Sequence, residues 1–220
     1  YGYDNSYMLD AIRQYPGMFS GVAIIDEGAE GLDGYMAELK SQGVRGFRIH
    51  PKGSDVEHWL DADGLRTMFR VGAEQQMAMC CLIGPESLPA LDRMCDAFPD
   101  TPVVIDHICR IGISGQIHPD DVKRLCNMTR HENVTVKISA FYALGEQKAP
   151  YHDLAPLIKQ VYDAFGPQRL MWATDGPFQV VGSHTYKESI DLIKSGLDFL
   201  SDDDKQWLLC KTAETVLFAV

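Results

Sequence analysis

The chain has 220 residues, 45% hydrophobic and 10% aromatic, enough apolar material for one large core, so residues 1–220 are read as a single domain. A formal net charge of -11 argues against partnership with nucleic acid or an anionic membrane surface, and no apolar run approaches the roughly 18 residues that a membrane span needs. The six cysteines form no CxxC pair or regular framework, and no signal peptide opens the chain, so reduced thiols and a cytoplasmic protein are expected.

From the start, short apolar runs rich in β-branched residues alternate with longer amphipathic stretches. The runs are Gly21–Ile25, Val44–His50, Met77–Ile83, Val103–His107, Val134–Ser139 and Leu170–Thr174. Between them, residues 31–42, 63–75, 86–98, 119–130 and 152–165 carry helical spacing, and two more helices are expected near 186–199 and 202–218. Ser87 with Pro89, and Pro119 with Asp120 and Asp121, mark helix starts. The alternation is that of βα units around a parallel sheet. No GxGxxG or phosphate-loop pattern supports an open dinucleotide-binding sheet, and polar residues end strand after strand. The expected fold is therefore an α/β protein of the (β/α)8 TIM barrel type, with about six of the eight strands in this sequence.

Side chains alternate along a strand, so VVIDH groups Val103, Ile105 and His107 on one face and Val104 with Asp106 on the other. The first set is read as barrel-lining. The same reasoning groups Arg48 with His50, Lys137 with Ser139, and Met171 with Asp175, which brings four strand ends to one rim. Each residue has a plainer alternative. His107 is also what a capped loop looks like, and Asp175 in TDGP is common turn chemistry. Arg48 resists that treatment, because a charge inside an apolar strand is costly unless paired. Lys137 can extend along the barrel to water. His50 and His184 read as loop residues first, Arg110 as mouth or outer surface, and Tyr142 as pocket contact or packing.

These segments, together with YGYDNSYMLDAI at the start, GVRGFRIHP, VTVKISAFY and RLMWATDGPF, resemble the amidohydrolase-related (amidohydrolase 2) family. The resemblance is to its branch of 2-pyrone-4,6-dicarboxylate hydrolase and related lactonases, and it runs through essentially the whole sequence. It implies that His107 and Asp175 are active-site residues and that Arg48, with Arg45 the weaker match, holds a substrate carboxylate. Members of the family begin with a strand carrying an HxH motif and then a second strand, and this sequence starts just after both. With only His107 and Asp175 as ligands, a divalent metal (Zn or Mn) would need the HxH partners. Some members of the branch are thought to work without a metal. Without two strands, exposed sheet edges and an open core are expected, inviting association between copies of the chain.

The expected function is hydrolysis of a small carboxylated lactone or cyclic ester. Asp175 is the general base, His107 its partner, and Arg48 and Arg110 clamp the carboxylate, while His50, Ser139 and Tyr142 complete the substrate-binding set. The alternatives are a metal-dependent decarboxylase of the same superfamily and a barrel remnant without catalysis.

Overall fold

A computed structural model describes residues 2–218. Six parallel strands lie side by side in chain order: β1 (Gly21–Ala23), β2 (Val44–Ile49), β3 (Ala78–Cys81), β4 (Val103–Ile105), β5 (Val134–Ile138) and β6 (Leu170–Trp172). Each is shorter than its apolar run. Helices α2 (Leu32–Ser41), α3 (Asp63–Gln75), α4 (Leu88–Ala97), α5 (Pro119–Asn127) and α6 (Ala155–Phe165) connect successive strands, and α1 (Ser6–Gln14) precedes them. The result is the expected parallel α/β arrangement, part of a TIM barrel.

Local chemistry marks some helix starts. Pro119 opens α5 with Asp120 and Asp121 in its first turn, where acidic groups oppose the helix dipole. Pro89 sits in the first turn of α4, but the expected Ser87 cap is not made: its side chain forms no capping bond. Near the end of the chain both expected helices form, over residues 186–196 and 202–218, but each widens from α to π turns. Only α7 (Tyr186–Asp191) and α8 (Asp202–Gln206) are regular, and wider π-type turns follow at Leu192–Gly196, Trp207–Lys211 and Glu214–Phe218. The last segment is held from two sides. Thr212 Oγ donates to the carbonyls of Pro167 and Gln168 beside β6, and Ser20, beside β1, donates to the Leu217 carbonyl.

The sheet has two distinct faces. Phe47, Met79, Cys81, Val103, Ile105, Val136, Ile138 and Leu170 belong to the main core shared with the helices. Ala78, Cys80, Val104 and Met171 form a second cluster on the inner face, against which Val22, Ala213, Val216 and Leu217 pack. This corrects two expectations. The inner face is not left open, since the terminal segment lies on it. In β4 the inner residue is Val104, and Val103 and Ile105 point to the helices, the reverse of the sequence reading.

All six cysteines are free thiols, but only Cys80, Cys81, Cys95 and Cys109 are buried; Cys126 is half-buried and Cys210 exposed. No helix among the described residues is long and apolar enough to cross a membrane.

Candidate active site

The inner-face register assembles the site. Arg48 pairs with Cys80 across β2 and β3, Cys80 with Val104, and Val104 with Thr135. One pleat further on, Asp106 follows Val104 and Lys137 follows Thr135. Asp106 is 0% exposed, with Lys137 Nζ 2.7 Å from Oδ1 and Arg48 Nη2 3.0 Å from Oδ2. The short Cys80 side chain between them lets Arg48 reach over β3. Its thiol is pushed up to about 12 by burial, so it contributes no charge. The costly charges inside β2 and β5 are therefore paired with a carboxylate that the sequence reading had placed on the opposite face.

After Ile105 the backbone leaves the strand and turns left-handed at four successive residues, His107, Ile108, Cys109 and Arg110, with φ of 56°, 49°, 54° and 55°. That turn, rather than strand parity, carries His107 to the site. Its Nδ1 lies 2.8 Å from Ser139 Oγ and its Nε2 3.7 Å from Asp175 Oδ1. Burial holds the imidazole below its ordinary pKa; Asp106 and Asp175 oppose the shift, while Lys137 and Arg48 reinforce it.

Asp175 is left-handed too, at φ 53°. The turn it sits in is closed by its neighbour, since Thr174 Oγ accepts from Gly176 N at 3.2 Å. The Asp175 carboxylate is thus not consumed by turn chemistry, and its Oδ2 accepts from the Tyr142 hydroxyl at 2.7 Å. Burial and then this bond raise the Tyr142 pKa, which keeps the phenol a neutral donor. Behind them, buried Gln179 donates to Tyr151 OH at 2.9 Å and to the Thr185 carbonyl at 3.3 Å. Tyr151 OH lies 2.9 Å from His184 Nδ1, and the His184 ring packs against both Tyr151 and Tyr142. The loop after β6 is pinned in this way to the loop after β5.

Arg48, His107, Arg110, Tyr142 and Asp175 line one cavity of about 280 Å³ together with Leu82, Ile113, Ala140, Ala143, Leu144 and Phe178. Two expected members stand elsewhere. Ser139 is fully buried behind His107 and lines no part of the cavity, because it spends its hydroxyl on Nδ1. His50 is exposed beyond the end of β2, outside the cavity. Arg45 lies at the opposite end of the strands, donating to the carbonyls of Lys40 and Val44 beside a larger cavity of about 630 Å³. The cations there satisfy backbone carbonyls, and the histidine and aspartate of the smaller cavity are absent. Asp106 was missed although its parity with Val104 was legible. The apolar lining and the Gln179 network follow from loop geometry that no local pattern encodes.

The amidohydrolase family model matches residues 1–219. The chain belongs to the amidohydrolase family. Among curated relatives, it is 26% identical over 179 residues to 4-sulfomuconolactone hydrolase of Rhizobium radiobacter, a match covering 80% of this chain and 58% of that protein. It is likewise 26% identical over 186 residues to L-fucono-1,5-lactonase of Burkholderia ambifaria, covering 82% and 63%. The chain thus spans roughly three-fifths of the length of these relatives. A solved probable 2-pyrone-4,6-dicarboxylic acid hydrolase from Acinetobacter baumannii superposes with a TM-score of 0.83 at 23% identity, covering 98% of this chain and 79% of that one. An amidohydrolase from Burkholderia multivorans with bound zinc superposes at 0.84 and 20% identity, covering 96% and 78%. These likenesses establish the barrel fold.

Among the described residues no group of three or more His, Cys, Asp or Glu is placed to hold an ion. His107 Nε2 and Asp175 supply two donors, and His107 Nδ1 is taken by Ser139. A catalytic zinc takes about three protein ligands. The described residues do not fit that requirement.

Proposed function

We propose that the chain carries the hydrolytic site of a lactonase acting on a small carboxylated lactone, with Asp175 as general base. The observation that carries the reading is the Asp175 carboxylate. One oxygen is held by Tyr142 at 2.7 Å, and the other faces His107 Nε2 at 3.7 Å. That gap exceeds a direct hydrogen bond, but one water can contact both groups across it. Asp175 takes a proton from that water, and the oxygen adds to the lactone carbonyl carbon. The acyl C–O ring bond then breaks, and the proton returns from Asp175 to the departing ring oxygen, giving a hydroxy acid.

In this reading the Ser139 hydroxyl donates to Nδ1, which puts the His107 proton on Nε2, facing the water and the oxyanion. Arg110 orients the substrate carboxylate, while Arg48, paired with Asp106, forms part of the cavity wall. The lactonase names of the curated relatives support the choice of ester over amide.

Asp175→Asn should lower kcat by a factor of about 10³ or more while leaving the unfolding midpoint nearly unchanged. Turnover is followed by product mass, where gain of water marks hydrolysis and loss of carbon dioxide a decarboxylase. Undiminished hydrolysis by the variant sinks the assignment.

A further inference from the structure

The charges around the cavity do not cancel. Arg48, Lys137 and Arg110 line it or stand directly behind it, against the carboxylates of Asp106 and Asp175. Asp106 is shared by Arg48 and Lys137, and Asp175 is engaged by Tyr142 and His107. Arg110 is exposed at the rim and makes no ion pair among the described residues. Three cations therefore face two carboxylates, and the one in excess is Arg110.

We propose that the cavity selects a lactone bearing a single anionic group, seated on Arg110, over neutral and doubly anionic rings. A second carboxylate would meet Arg48 already committed to buried Asp106, and it would approach the negative Asp175, so its lost hydration goes uncompensated. A neutral ring forgoes the charge-assisted contact to Arg110. Leu82, Ile113 and Phe178 supply an apolar wall for the ring itself, and a cavity of about 280 Å³ keeps the ligand small. The inference rests on the lactonase reading but names what that reading leaves open, the number of charges on the substrate.

The test compares 2-pyrone, 2-pyrone-6-carboxylate and 2-pyrone-4,6-dicarboxylate, and in the five-membered series but-2-en-4-olide and its 4-carboxymethyl derivative. kcat/KM is measured with the intact protein, and affinity by calorimetry with His107→Asn, which slows turnover and leaves both carboxylates of the cavity charged. The monocarboxylate is expected to lead by about tenfold, the factor that corresponds to one charge-assisted contact. Arg110→Gln should bring the monocarboxylate and neutral rings to parity. Asp106→Asn, which adds one net positive charge, should move the preference to the dicarboxylate. Exposed Arg110 keeps the test decisive even if the Asp106 variant fails to fold. Preference for the neutral or doubly charged ring in both measurements overturns the inference and leaves the lactonase reading intact. Selective binding of the monocarboxylate with no ring opened supports the charge assignment and overturns the lactonase reading. No binding of any ring overturns both.

Discussion

Asp106 shows how much a single buried residue decides. Its two ion pairs hold Arg48 and Lys137 on the inner face, and Arg48 is left only 26% exposed. Asp106→Ala would leave two cations facing each other without a counter-charge, a loss of about 3–5 kcal/mol for breaking a buried pair. A lower urea midpoint at unchanged m would show it, and an unaltered midpoint would count against the pairing. His107 gives a second test. Burial depresses its pKa, so as pH falls below about 6.5 the unfolded chain binds a proton before the folded one does. Stability should therefore decline with falling pH below that value, and this residue's contribution should be flat above it. His107→Asn should remove that part of the slope between pH 7.5 and 5; a slope equal to the parent's contradicts it. The sequence made His107, Arg48 and Asp175 conspicuous because polar groups at the ends of apolar runs stand out. It hid Asp106 because counting the strand through to His107 placed alternate residues on the wrong faces.

The element responsible for that error is the turn of His107 to Arg110. Four successive left-handed residues cost about 1–2 kcal/mol each relative to ordinary backbone, and none of the four is glycine. Nothing in the letters HICR announces such a turn, because the usual glycine or asparagine signal is missing. Ile108 and Cys109 are wholly buried, so core packing holds the turn in place while His107 and Arg110 emerge on one cavity wall. Exposed Arg110 allows the strain to be measured without disturbing the core. Arg110→Gly should be more stable than Arg110→Ala by roughly 0.5–1 kcal/mol, the left-handed relief less the greater unfolded-state freedom of glycine. Equal stability in paired denaturant titrations would show that the turn is unstrained there. The strands and the connecting helices were legible because their periodicity is local; this turn is fixed by contacts distant in sequence.

At the scale of the molecule, a parallel sheet needs cover on both faces. Helices α2 to α6 cover one in the alternating pattern that the sequence displays. The other is covered by residues 213–217, whose amphipathic pattern reads only as a terminal helix and does not say which surface it meets. Ala213, Val216 and Leu217 lie on Ala78, Cys80, Val104 and Met171, while Thr212 and Ser20 fasten the segment beside β6 and β1. The inner-face cluster lies directly below the Arg48–Asp106–Lys137 layer, which makes the terminal segment a support for the site. Val216→Asp would press a carboxylate against this apolar cluster without a partner, at a cost of about 2 kcal/mol. For a chain of this length that corresponds to a Tm lower by roughly 4–8 °C, in a single transition if the segment unfolds with the sheet. An unchanged Tm, or a separate early transition carrying the whole effect, would show that the segment rests on the sheet without stabilising it.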